Sequence, residues 1–315
     1  MADFRFLAVA DVSFEVKRGE IFCVMGLSGS GKSTLVRQIN RLLEPTSGSI
    51  QVGGQDIMSL SESELRRYRN EHMAMVFQNF ALLPHLSVLE NIAIPLEIRG
   101  VPKNRRRQTA EEILSVVELD GWGNKFAHEL SGGMQQRVGL ARALAADAEI
   151  LLMDEPFSAL DPLIRRQLQT EFLKLSSVMN KTTVFITHDL EEAVHIGERI
   201  AIMRAGRVVQ IGTPEEIVMH PADAYVAEFV AGISRLNIAS ARTLMQPLDT
   251  YEHACGPLAA DAPGFSEDVS LSELTHAAIG SDATFAVTNS AGQRVGAITR
   301  AGLLKGVVET STHIE

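Results

Sequence analysis

Residues 26–33, Gly-Leu-Ser-Gly-Ser-Gly-Lys-Ser, put three glycines, a lysine and a hydroxyl at the G-x-x-x-x-G-K-[ST] spacing, which holds a nucleotide's phosphates and their metal together. Gly26, Gly29 and Gly31 have no side chain to stand between backbone N–H groups and an anion. Leu27, Ser28 and Ser30 complete the loop. Lys32 is placed to reach the β- and γ-phosphates and the Ser33 hydroxyl to ligate Mg²⁺, while Thr34 enters a helix whose N-terminus faces the same anion. A nucleotide and Mg²⁺ are the expected ligands.

Hydrolysis of a bound nucleotide calls for carboxylates, and residues 150–155, Ile-Leu-Leu-Met-Asp-Glu, end an apolar strand with two of them. Asp154 is positioned to hold the metal, directly or through water. Glu155 is the expected general base for the water attacking the γ-phosphate, because in-line displacement needs an acceptor within hydrogen-bond reach. A second anion-binding start lies at 130–137, Leu-Ser-Gly-Gly-Met-Gln-Gln-Arg, where a serine and two glycines precede a helix. One nucleotide does not need two such cradles.

This set resembles the ABC transporter ATPases, in which two subunits pair head to tail and each ATP lies between one subunit's phosphate loop and the other's signature motif. The resemblance implies signature contacts from Ser131, Gly132 and Gly133, with Met134 standing where glutamine is common. It also implies Gln78 as the glutamine loop residue serving the metal and catalysis, Asp161 in Ser-Ala-Leu-Asp as the D-loop, and His188 in Thr-His-Asp as the switch histidine on the γ-phosphate. Phe4 and Phe6 are the candidates to stack on adenine.

The elements that must position these residues follow from periodicity. Alternation over 6–24, broken at 17–20, predicts antiparallel strands around a turn. A turn at 44–48 precedes a strand at 49–52, a Gly53-Gly54 hairpin turn, a Ser/Glu-capped helix from 61 and a buried strand at 73–77. Residues 79–130 read as a helical insert. Apolar strands at 150–153, 183–187 and 199–203 alternate with helices at 165–178 and 190–196, the pattern of a parallel sheet with helices on both faces. A helix at 214–220 follows. The pattern is α/β, and the resemblance implies a RecA-like P-loop NTPase core with an antiparallel β subdomain and a helical subdomain, covering 1–235. Residues 236–315 read as a second, small α+β domain, with a helix at 270–278, strands at 284–288 and 294–299, and a last helix.

A chain of 315 residues, 45% hydrophobic, has material for two cores. Its net charge of −10 speaks against a general nucleic-acid binder, which needs a basic face. The apolar runs are strand-sized, far short of a membrane span of about 18 residues, and the first residues lack the apolar core of a signal peptide. Cys23 reads as a small core residue. The expected location is therefore the cytoplasmic face of the membrane, peripheral, through a partner.

Residues 25–34, 75–85, 131–139 and 157–165 together resemble the ATPases of glycine betaine/proline betaine importers. That resemblance implies a second copy as dimer partner, an integral-membrane permease gripped by the segment 79–91 (Phe80, Leu82, Leu83 and Pro84 among its residues), and indirectly a substrate-binding protein. It also implies a cystathionine-β-synthase-type (CBS) regulatory module in 236–315, single or with a degenerate start at 239–248; a folded extension without a sensing role is the alternative. An importer of another solute (choline, an amino acid, taurine) and a soluble ABC ATPase remain as other readings.

Overall fold

The computed structural model describes residues 7–78, 81–158, 160–279 and 283–311. They fall into two compact units that divide between Thr213 and Pro214. Phe4, Phe6 and Phe80 lie outside the described residues.

Strands β1 to β8 of the first unit are Ile21–Met25, Gln51–Val52, Gln55–Asp56, Met73–Val76, Ile150–Asp154, Thr182–Thr187, Arg199–Arg204 and Arg207–Gly212. Six of them make one sheet in the order β4-β5-β6-β1-β7-β8, parallel as far as β7, with β8 returning antiparallel. Parallel strands are covered on both faces and read as continuous apolar runs; accordingly all of β1 is buried. The register sets Asp154 and Val24 against Ile186, and Met25 against Thr187. The carboxyl ends of β5, β6 and β1 thus lie side by side, where open α/β sheets bind ligands.

Helix Lys32–Ile39 packs Leu35 and Val36 on the sheet core of Phe22, Val24, Leu152 and Ile186. Helix Pro162–Met179 is anchored by Phe172, whose ring lies 6.4 Å from Phe157 and 6.3 Å from Phe185 of β6. A separate core of Ile92, Ala110, Leu114, Val138 and Ala141 joins helices Val88–Ile98, Lys103–Val116 and Gly132–Ala145. This is the helical insert. Its first helix starts at a reciprocal Ser87–Glu90 capping box, as helix Glu62–His72 does at Ser61–Glu64.

Two local expectations differ. Over 6–24, β1 is the one strand among the described residues. The alternation there marks a packed face instead: Val9, Val12, Phe14 and Val16 lie on the sheet core, and Phe14 stacks on Phe22 at 5.0 Å. The antiparallel β subdomain reduces, among the described residues, to hairpin β2–β3, turning on Gly53 and Gly54 at φ 56° and 83°. Strand β8 was not foreseen; as a half-buried sheet edge it lacks an apolar run.

In the second unit, β9 (Gln246–Pro247), β10 (Gly264–Ser266), β11 (Phe285–Thr288) and β12 (Arg294–Ile298) form a sheet in the order β10-β11-β12-β9. Side-chain alternation covers both faces. Phe285, Val287 and Ile298 meet Leu271, Leu274 and Leu303, while Ala286 and Ala297 meet Tyr251 and Leu258. Residues 214–235, assigned by the sequence to the first domain, cluster with this unit. Met219 and Leu236 pack on its core, and the Glu215 carboxylate accepts from Ser240 N at 3.1 Å and from the Thr243 hydroxyl.

Candidate nucleotide site

The turn after β1 places the glycine-rich loop above the sheet. Gly31 sits at φ 102°, and a Cβ there would stand 2.2 Å from the Ala8 carbonyl oxygen. Backbone cannot yield as a flexible side chain can, so Gly31→Ala is expected to cost about 2–4 kcal/mol of stability, measured by urea denaturation. Lys32 is only 4% exposed, and its Nζ donates to Gly26 O at 2.7 Å and Leu27 O at 3.2 Å. Burial pulls this ammonium below its ordinary pKa, while Glu155 and Asp154 pull the other way. The lysine is thus a desolvated cation held in the loop by two carbonyls.

Ser33 Oγ donates to Asp154 Oδ1 at 2.8 Å. The other oxygen, Asp154 Oδ2, is buried without a hydrogen-bond partner, with Arg37 Nη2 3.6 Å away. A hydroxyl beside a buried carboxylate with an unspent oxygen is an oxygen-donor set suited to Mg²⁺. Arg37 follows Ser33 by four residues and shares its helix face, a signal the sequence offered and the motif reading missed.

Glu155 is the meeting point. Gln78 Nε2 donates to its Oε2 at 3.1 Å, and His188 Nδ1 lies 3.2 Å from the same oxygen. Its backbone is left-handed, φ 49°, a conformation costing a non-glycine residue about 1 kcal/mol or more. Three bonds hold it: Glu155 N donates to Ile186 O at 3.0 Å, and Ser158 donates to Glu155 O through its N at 3.3 Å and its Oγ at 3.0 Å. The structure thus brings together Lys32, Ser33, Gln78, Asp154, Glu155 and His188.

The signature residues stand elsewhere. Ser131 caps helix Gly132–Ala145, accepting from Met134 N at 3.3 Å. Ser131 and Gly133 line a cavity of about 480 Å³ with Leu160, Asp161 and Ile164, and none of residues 26–34 lines it. Met134, at the position that departs from the common motif, packs against the helical core. Asp161 Oδ1 caps helix Pro162–Met179 by accepting from Leu163 N at 3.2 Å and Ile164 N at 3.1 Å.

Behind His188, Glu192 is 6% exposed and accepts from Gln169 Nε2 at 2.8 Å. Burial, the largest influence, pushes its carboxyl above the ordinary value of 4.5. The folded state then holds this proton more tightly than the unfolded chain, so the stability it brings is full below about 4.5 and lost as pH rises through the folded value. Glu192→Gln is expected to flatten the fall in melting temperature as pH rises above about 4.5.

A glycine-rich loop at the carboxyl end of a parallel sheet, beside a hydroxyl–carboxylate pair and a third carboxyl, is the arrangement of a P-loop nucleotide-binding domain. A model of the ABC transporter family matches residues 9–158. The trimethylamine N-oxide transport ATP-binding protein TmoW of Ruegeria pomeroyi is 45% identical over 98% of this chain and 88% of its own length. The chain therefore belongs to the ABC transporter family, in its ATP-binding branch. The glycine betaine transport ATP-binding protein OpuAA of Bacillus subtilis is 52% identical over 81% of this chain, and the glycine betaine/proline betaine transport protein ProV of Escherichia coli 49% identical over 85%. The chain spans 61% and 66% of the lengths of those two. A dimeric ATP-binding cassette solved in a post-hydrolysis state with ADP and Pi has 36% identity and a TM-score of 0.64, over 68% of this chain and 94% of its own.

Proposed function

We propose that the chain is the ATP-hydrolysing subunit of an importer for glycine betaine or proline betaine. The observation that carries the ATPase reading is Glu155, whose one carboxylate oxygen is addressed by both Gln78 and His188 beside the Ser33–Asp154 pair. Lys32 and the loop N–H groups bind the phosphates, Glu155 takes the proton of the attacking water, and His188 and Gln78 orient that carboxylate. Mg²⁺, held by Ser33 and Asp154 with Gln78 near, would neutralise charge on the β- and γ-phosphates.

Ser131, Gly132 and Gly133 are assigned to the ATP of a second copy, because Ser131 and Gly133 line a cavity apart from the Lys32 loop. ATP would bridge the two copies by charge-assisted contacts that ADP lacks, so nucleotide state biases a two-state interface. A permease is the second partner, with a substrate-binding protein acting on it indirectly. Among the described residues no helix is long and apolar enough to cross a membrane, which fits peripheral attachment to a partner at the cytoplasmic face. Leu83 is 40% exposed and its segment is clamped by Asn91, whose Nδ2 donates to Leu83 O and Leu86 O, both at 3.1 Å. A cavity of about 310 Å³ walled by Met75, Phe77, Pro95, Ile98 and Arg142 offers an apolar seat for the permease. Leu82 packs inward on the helical core instead. Residues 236–315 are read as a CBS-like regulatory module.

Trimethylamine N-oxide is a second reading for the solute, favoured by the match to TmoW along nearly the whole chain. Both readings are tested by reconstituting the chain with its permease and binding protein and measuring ATP-driven uptake of betaine and of trimethylamine N-oxide over a range of salt. Uptake of betaine, rising with salt only when residues 236–315 are present, is the expected result. Uptake of neither solute would overturn the substrate class and leave ATP hydrolysis to be judged separately.

A further inference from the structure

Helix Pro162–Met179 carries two residues one turn apart that reach the segment after β6. Arg165 Nη1 lies 3.3 Å from Asp189 Oδ2, and Gln169 Nε2 lies 2.8 Å from Glu192 Oε1. An i,i+4 pair on one helix thus meets an i,i+3 pair at the start of another. Asp189 is itself fixed: its Oδ1 accepts from Glu192 N at 3.1 Å and its N donates to Thr187 Oγ1 at 3.0 Å. His188 is the residue between Thr187 and Asp189, and its ring bears on Glu155. Displacing Asp189 would therefore displace His188.

The second arm of the same guanidinium goes the other way. Arg165 Nη2 donates to Leu160 O at 3.2 Å, immediately before Asp161. Helical side chains lean toward the N-terminus, which is how Arg165 covers the turn preceding its own helix. Arg165 Nε is buried without a hydrogen-bond partner, so the two Nη contacts fix the fork. The ion pair is partly shielded, at 28% and 34% side-chain exposure, and so is less screened than a surface pair. A planar fork can hold two partners at a fixed separation; an ammonium cannot.

We propose that Arg165 is a positioning residue for hydrolysis: by bridging the Leu160 carbonyl and the Asp189 carboxylate, it holds the Asp161 turn and the His188 turn in one register, so that His188 meets Glu155. This rests on the ATPase reading above. It leaves Lys32 and the phosphate loop untouched, and separates turnover from binding.

The test is steady-state ATP hydrolysis by the purified full chain. Arg165→Ala lowers kcat roughly tenfold to a hundredfold, the scale set by small misplacements of reacting groups, with KM for ATP within about threefold. Arg165→Lys recovers part of the loss. Asp189→Ala lowers kcat similarly, and the double variant is no worse than the poorer single one, because both remove the same link. A kcat within about twofold of the parent, losses that multiply in the double variant, or a KM rising in step with the fall in kcat would each overturn the assignment. If Arg165→Ala fails to fold, Arg165→Gln, which keeps a donor for Leu160 O but loses the charge, is judged by the same criteria. An unsubstituted chain without hydrolysis would overturn the ATPase reading and this inference with it; an active chain indifferent to Arg165 overturns this inference alone.

Discussion

Glu155→Gln lowers kcat for ATP hydrolysis by about a thousandfold, the scale of a lost general base, while MgATP affinity stays within about threefold. The amide keeps the size of the carboxyl and suits the same left-handed backbone, whose three supporting bonds involve only main-chain atoms of residue 155. It cannot take a proton from water. Nor can it serve as anionic acceptor for both Gln78 Nε2 and His188. Phosphate release measures the first effect and calorimetric titration with MgATP the second. Near-normal hydrolysis would remove Glu155 as the base; lost binding would mean that its charge serves the nucleotide rather than the water.

Lys32→Ala weakens nucleotide binding by about a hundredfold or more, because it removes a cation that has already left water. The Nζ lies over Gly26 O and Leu27 O, so the desolvation cost is met when the chain folds and is not charged against binding. Its loss also strips two loop carbonyls of their donor. Equilibrium binding of MgATP checks the expectation, with a thermal melt to separate a damaged loop from a damaged fold. Unchanged affinity would show that the backbone N–H groups hold the phosphates by themselves.

Much of this site was legible before folding. The loop 26–34, the carboxylates at 154 and 155 and the capped helix starts at Ser61 and Ser131 are short-range patterns whose geometry is set by neighbours in sequence. The sheet strands could be read because a strand covered on both faces leaves an apolar run. Where this failed, tertiary context had won. Val9 to Val16 alternate because one face packs on the sheet core, without a ladder; β8 is an edge too half-buried to show; and residues 214–235 join the second unit through packing that has no local signature.

Which residues carry the chemistry is set locally, since a phosphate loop, a carboxylate pair and a capped helix each need fixed residue types at fixed short spacing. Which of them meet is set by the packed fold. Parallel strands joined by long crossovers bring Met25, Asp154 and Thr187 to one edge, and nothing local encodes that register. The same register puts Gln78 and His188 on one oxygen of Glu155, pins Glu155 in a left-handed backbone through Ile186, and lets one arginine span the turns of Asp161 and His188. Such contacts join residues far apart in the chain, and their partners become definite only when the sheet has closed its order and the helices have packed on it.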